Sequence, residues 1–155
     1  MCVFSEVKGR VVLNGQPVAN AVVERSYSFD ADKFTTDSAK TDANGNFSFE
    51  TRWYYSLRSF FPAEMNVYQA IWIHHASKKY EAWRLTKHRP LELDRELPNE
   101  AQGIKSDPNK PYDYNATYPK RKILLVCDLA QPASWKEPKF EANQLYGICT
   151  VVDKL

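Results

Sequence analysis

The side chains best suited to metal ligation or nucleophilic chemistry are three histidines, His74, His75 and His88, and three cysteines, Cys2, Cys127 and Cys149. Their spacing is unpromising for either. His74 and His75 are neighbours, and successive residues of a strand face opposite sides of a sheet, so they cannot grip one ion together. One of them could meet His88 across a hairpin, but no cysteine or carboxylate cluster stands beside them at ligand spacing. Cys127 and Cys149 lie in apolar runs, where a thiolate is disfavoured, and no Gly-x-Ser-x-Gly elbow is present. The five glycines are scattered singly, so no loop can cradle a phosphate. Glu92, Asp94 and Glu96 alternate, which fits a solvated strand face better than the folded oxygen cage that calcium requires. The expectation is a protein with no metal, no cofactor and no catalytic residues.

Recognition chemistry is better represented. Trp53, Tyr54, Tyr55, Arg58 and Phe60 crowd one stretch, and Tyr112, Tyr114 and Tyr118 fall in another that is polar and proline-punctuated. Trp, Tyr and Arg are the side chains that anchor protein interfaces, so these eight are the candidate partner-binding residues. The formal net charge of +2 implies neither a nucleic-acid stripe nor an acidic tail. Lys120-Arg121-Lys122, beside Pro119, reads as a charged guard before a strand, and nucleic acid is not an expected partner.

No stretch reaches the roughly 18 apolar residues of a transmembrane helix. Residues 1–6 lack the basic and apolar regions of a signal peptide. Two expectations remain open, and one is a chain that is cytoplasmic as written. Alternatively, Met1 stands where a signal peptide was removed, and Cys2 is a lipidated first residue of a periplasmic or anchored protein. The cysteines do not choose between these. A disulfide joins Cys127 to Cys149 only if their strands are neighbours; otherwise both are small buried hydrophobes.

The elements that must position these residues read as strands. The chain is long enough for one domain over 1–155 with its own core. A strand is expected over 7–13, followed by Asn14-Gly15, a pair that tolerates the positive φ of a type I′ hairpin turn. Pro17 restricts the next strand, which is expected over 21–27; the middle of 29–40 reads as loop, and a third strand is expected to run up to Thr41. Asp42-Ala43-Asn44-Gly45 is a turn cluster, and Phe47 and Phe49 then alternate in a half-buried strand. Residues 52–65 suggest an aromatic connection with a short helix. Residues 67–75 and 80–86 suggest a hairpin. Polar residues dominate 93–122, a long loop of the kind that carries function. Strands are expected over 123–129 and 145–152, with a helical turn within 131–143. The sum is a mainly β protein of seven or eight strands with little helix.

Two segments carry a resemblance. Gly9-Arg10-Val11-Val12-Leu13-Asn14-Gly15-Gln16-Pro17-Val18-Ala19-Asn20-Ala21-Val22-Val23 resembles the opening of carboxypeptidase-regulatory-like and transthyretin-like domains. Thr41-Asp42-Ala43-Asn44-Gly45-Asn46-Phe47 resembles their second signature, a Thr-Asp turn before an aromatic strand. The resemblance covers roughly residues 7–50 and implies a single Ig-like or transthyretin-like antiparallel β-sandwich. The opening Cys2-Val3-Phe4-Ser5 is also similar to that of small bacterial proteins without an assigned activity. Transthyretin-like folds include a hydrolase of a purine-breakdown intermediate that uses histidines, an arginine and a C-terminal Tyr-Arg-Gly-Ser. Here Tyr146-Gly147-Ile148-Cys149 lacks that arginine and motif, so the small-hydrolase alternative is weak.

The functional expectation is a non-catalytic protein-binding domain whose partner is another protein. Its most concrete form is a bacterial immunity or inhibitor protein that neutralises a secreted toxin. The alternative is an envelope accessory or structural lipoprotein module. Oligomeric state is not legible in the residues.

Overall fold

The structure, a computed structural model, describes residues 2–29, 33–53, 66–88, 123–136, 145–152 and 154–155. Strands β1 to β13 run in chain order as Cys2–Phe4, Val7–Leu13, Gln16–Pro17, Val22–Phe29, Thr35–Lys40, Asn46–Phe49, Arg52–Trp53, Asn66–His75, Lys78–His88, Ile123–Asp128, Ser134–Lys136, Leu145–Gly147 and Cys149–Val151. The protein is mainly β, and the described residues include no helix.

Three sheets form. β1 pairs with β7; β13-β10-β2-β3 form a five-stranded sheet in which β6 also pairs β2; and β11-β12-β9-β8-β4-β5 form a six-stranded sheet. Alternation drives the packing. In β2 the side chains of Val7 and Val11 are buried while Lys8 and Arg10 are exposed, and in β10 Ile123, Leu125 and Cys127 are buried. Val23, Ile71, Ile73, Trp83 and Leu85 from the six-stranded sheet join them in one core cluster. Two sheets sharing one core are consistent with a β-sandwich.

The turns follow their local chemistry. Asn14 and Gly15 adopt φ of 51° and 79°, the positive values that a type I′ turn needs at both positions. Val12 then pairs Pro17 in the edge strand β3, a place where a missing N–H costs nothing. In the second turn Asp42 Oδ1 accepts from the Asn44 and Asn46 amides at 2.9 and 2.8 Å. Gly45 closes that turn at φ 77°.

The architecture departs from the sequence reading in several places. The strands are more numerous and shorter than seven or eight, and they lie in three sheets. The pairing is not wholly antiparallel: β10 runs parallel to β2, with six consecutive partners from Ile123↔Val7 to Asp128↔Val12. Cys2–Phe4 is a strand with Val3 and Phe4 fully buried, although residues 2–4 read as a terminus. The third strand expected to run up to Thr41 is β5, Thr35–Lys40, and it begins inside the stretch whose middle reads as loop. Within 131–143, where a helical turn is expected, Ser134–Lys136 forms β11, and 137–143 lie outside the described residues.

The last strand is divided. β12 belongs to the six-stranded sheet and β13 to the five-stranded one, so the chain changes sheets at Gly147-Ile148. Gly147 has φ 145°, and a Cβ there would collide with the Ala82 carbonyl oxygen. Ala82 is the extra residue of a bulge, because Ile71 pairs Trp83 while Trp72 pairs Glu81. The expected helix within 52–65 and the long loop over 93–122 lie outside the described residues, save Arg52–Trp53, which form β7.

Candidate functional site: a buried arginine behind an exposed edge

Arg25 occupies the core-facing parity of β4, between Val23 and Tyr27, and its side chain is fully buried. A buried guanidinium is costly unless every charge and donor finds a partner. The fold supplies them from three strands, β1, β5 and β6, and the segment that follows β6. Register places Asp37 of β5 directly opposite. Arg25 Nε donates to Asp37 Oδ1 at 3.0 Å and Nη2 to Oδ2 at 2.6 Å, a bidentate pair. Nη1 donates to the Glu50 carbonyl, just past β6, at 2.6 Å. The rings of Phe4 and Phe49 lie 5.2 and 4.7 Å from the guanidinium carbon.

The cluster reaches the surface through Arg52 of β7. Its Nε and Nη2 both donate to Asp37 Oδ2, at 3.0 and 2.6 Å, and half of its side chain is exposed. Two guanidinium cations share one carboxylate, which leaves this three-residue cluster with one net positive charge. Partial burial pushes the Asp37 carboxyl up, but the hydrogen bonds and charges of Arg25 and Arg52 outweigh it and hold the group below the usual carboxylate range. The Asp37 hydrogen bond and charge hold Arg52 protonated more firmly than an ordinary arginine. Arg52 is thus a fixed cation, oriented by a carboxylate that is itself braced from the core.

Two large apolar side chains close to the cluster in the chain are exposed. Trp53, next in β7, is 42% exposed, and Phe34, immediately before β5, is 51% exposed. β1 secures β7 from the other side, with Cys2 paired to Trp53 and Phe4 to Arg52. β1 is itself held by Gln69, whose Nε2 donates to the Val3 carbonyl at 2.7 Å.

Of the candidate partner-binding residues, Trp53 follows Arg52 in β7 and is exposed. Tyr54, Tyr55, Arg58, Phe60, Tyr112, Tyr114 and Tyr118 lie outside the described residues. Arg25, Asp37, Arg52 and Phe34 were missed. A signal existed for Arg25: an arginine at the parity of Val23 and Tyr27 must either end the strand or be paired inside it. Cys127 and Cys149 are register partners of β10 and β13 and are joined by a disulfide. The backbone of Cys2 is part of β1.

The histidines do not assemble. His74 pairs Lys79 at one end of the β8–β9 hairpin, whereas His88 pairs Asn66 at the other, so the suggested meeting across the hairpin does not occur. His74 Nε2 instead lies 3.8 Å from Glu24, which Lys79 approaches equally closely. Among the described residues no three His, Cys, Asp or Glu side chains converge as a metal site. No described helix is long and apolar enough to cross a membrane.

Residues 7–109 match the profile of a family described as a domain of unknown function, DUF6795, and the chain belongs to that family. The matched stretch contains β2 to β9, and with them Arg25, Asp37, Arg52 and Trp53. Beyond it, β10 still supplies an interior strand of the five-stranded sheet. No curated protein and no solved structure matches the chain.

Proposed function

We propose that this DUF6795 protein is a non-catalytic protein-binding domain, and that the edge formed by Arg52, Trp53 and Phe34 is its recognition face. The observation that carries the reading is the bracing of Arg52. A surface arginine ordinarily loses much side-chain freedom on binding, whereas this one is already held by Asp37 and, through it, by the buried Arg25. A preset cation beside an exposed indole is the composition of an interface anchor. The most concrete form of the reading is an inhibitor or immunity protein that blocks a toxin by occupying it.

The finer fold reading belongs with this proposal. The two signatures that resemble carboxypeptidase-regulatory-like and transthyretin-like domains fall at the Asn14-Gly15 and Asp42–Gly45 turns. Those turns lead into or out of the paired strands β2 and β6, which supports the likeness. Such sandwiches serve unrelated roles, so the functional reading rests on the site.

The test is affinity capture from the source organism with the wild-type chain, Trp53→Ala and Arg52→Glu as parallel baits. One stoichiometric partner should be retained by the wild type, and its purified form should bind each variant at least about tenfold more weakly. Denaturation curves for the variants serve as a folding control. A partner held equally by all three baits refutes this face, and capture of none refutes tight protein binding. A partner with toxic activity that the wild-type chain suppresses establishes the inhibitor form.

A further inference from the structure

We propose that the edge of β5, unpaired among the described residues, receives an extended segment of the partner protein as an added strand, with an acidic side chain of that segment seated against Arg52. The proposal rests on the protein-binding reading above and specifies how the partner docks.

The comparison among sheet edges carries it. An edge strand offers unpaired N–H and C=O groups to any passing chain, and proteins guard such edges by shortness, proline, bulges or charge. The other described edges are guarded. β3 has two residues, one of them Pro17; β11 and β13 have three each; and β6 has four. β5 has six residues, pairs β4 through six consecutive positions without a bulge, and contains neither proline nor glycine. Thr35, Thr36, Ser38 and Lys40 are exposed. The charge that would guard its middle, Asp37, is neutralised by Arg25 and Arg52. The longest described edge is therefore the least protected one.

The flanks define the occupant. Phe34 stands exposed at the start of the strand, and Trp53 adjoins the arginine bonded to its centre. Arg52 commits Nε and Nη2 to Asp37, which leaves Nη1 without a partner among the described residues. The net positive charge of the Arg25–Asp37–Arg52 cluster, with Lys40 at the end of the strand, is matched by a carboxylate. An incoming strand running beside β5 has every second side chain on the Asp37 side, where Arg52 waits. The fitting segment is extended, apolar at the flanks and acidic near its middle. Main-chain pairing supplies affinity and Arg52 supplies selectivity, as in strand-addition complexes generally.

The test uses the full chain, labelled with nitrogen-15, and three synthetic peptides of about ten residues. One alternates Thr and Val around a central Glu pair, one has Lys in place of Glu, and one has proline at alternate positions of the Glu peptide. The Glu peptide should shift the amides of residues 35–40 saturably and slow their hydrogen exchange at least about tenfold. The Lys and proline peptides should bind roughly tenfold or more weaker, and Arg52→Gln should erase the preference for Glu over Lys. Absence of effects at 35–40, or equal binding of the proline peptide, overturns strand addition. Concentration-dependent self-association through the same amides also overturns it, by showing a second copy as the occupant. If a captured partner requires Trp53 and Arg52 yet leaves β5 exchange unchanged, strand addition fails while the protein-binding reading stands.

Discussion

Replacing Asp37 with asparagine removes one charge and almost no volume, so it isolates the role of the carboxylate between the two arginines. Stripping the partner from a buried ion typically costs about 3–5 kcal/mol, because the remaining charge stays desolvated. The cost here is smaller. A quarter of the Asp37 side chain is exposed, and Arg25 keeps the Glu50 carbonyl and the faces of Phe4 and Phe49. About 2–3 kcal/mol at pH 7 is expected, read as a lower urea midpoint at unchanged slope, or a fall in Tm of roughly 5–10 °C for a chain of this size.

Two controls sharpen the result. Arg52→Gln alters an exposed partner and should cost no more than about 1 kcal/mol. The double replacement Arg25→Met with Asp37→Leu should cost less than Asp37→Asn alone, since it leaves no buried charge unpaired. The pH dependence has a definite sign. The folded-state carboxyl of Asp37 is depressed, so its contribution is fully present above the unfolded value near 3.9 and is lost as pH falls through the folded value. The gap between wild type and Asp37→Asn should therefore close below about pH 4. Asp42 is also depressed, mainly by the Asn46 backbone hydrogen bond, so its contribution too is lost in acid. The difference between the two proteins, not the wild-type curve alone, is thus the quantity to measure. A gap under about 0.5 kcal/mol at pH 7, or one that persists in strong acid, refutes the reasoning.

Three further outcomes are expected. Gly147→Ala should destabilise by about 2 kcal/mol or more in urea denaturation, since the new Cβ meets the Ala82 carbonyl at a φ that side chains rarely adopt. Ala76 and Ser77 turn the β8–β9 hairpin with φ of 48° and 62°, and the double change Ala76→Asn with Ser77→Gly should raise stability by roughly 1 kcal/mol, measured the same way. Replacing both Cys127 and Cys149 with alanine opens a loop spanning 22 residues and should cost about 3 kcal/mol; a wild-type chain already insensitive to reductant would contradict this.

Legibility in the sequence tracked locality. The type I′ turn at Asn14-Gly15, the Asp42–Gly45 turn and the alternation of Phe47 and Phe49 involve residues a few positions apart, and each is realised in the fold. Gln69 was harder to place. It shares the core parity of Val67, Ile71 and Ile73, and it is buried because the Val3 carbonyl, 66 positions away, accepts its hydrogen bond. Ala76-Ser77 hides its hairpin geometry for a related reason: the ten- and eleven-residue strands on either side impose positive φ on residues that do not prefer it.

By itself the sequence determined a β protein, because period-two alternation and turn residues act within a few residues of one another and leave strands as the only way to bury Val7, Val11, Phe47, Ile71 and Ile73 together. It also placed Trp53 among the residues able to anchor a partner. Only the tertiary structure decided that β10 lies parallel to β2, that the last strand splits between two sheets, and that Asp37 lies between Arg25 and Arg52. Those facts depend on which strands become neighbours. That choice is made by the packing of whole faces and by the need to pair a buried charge, and no local pattern records it.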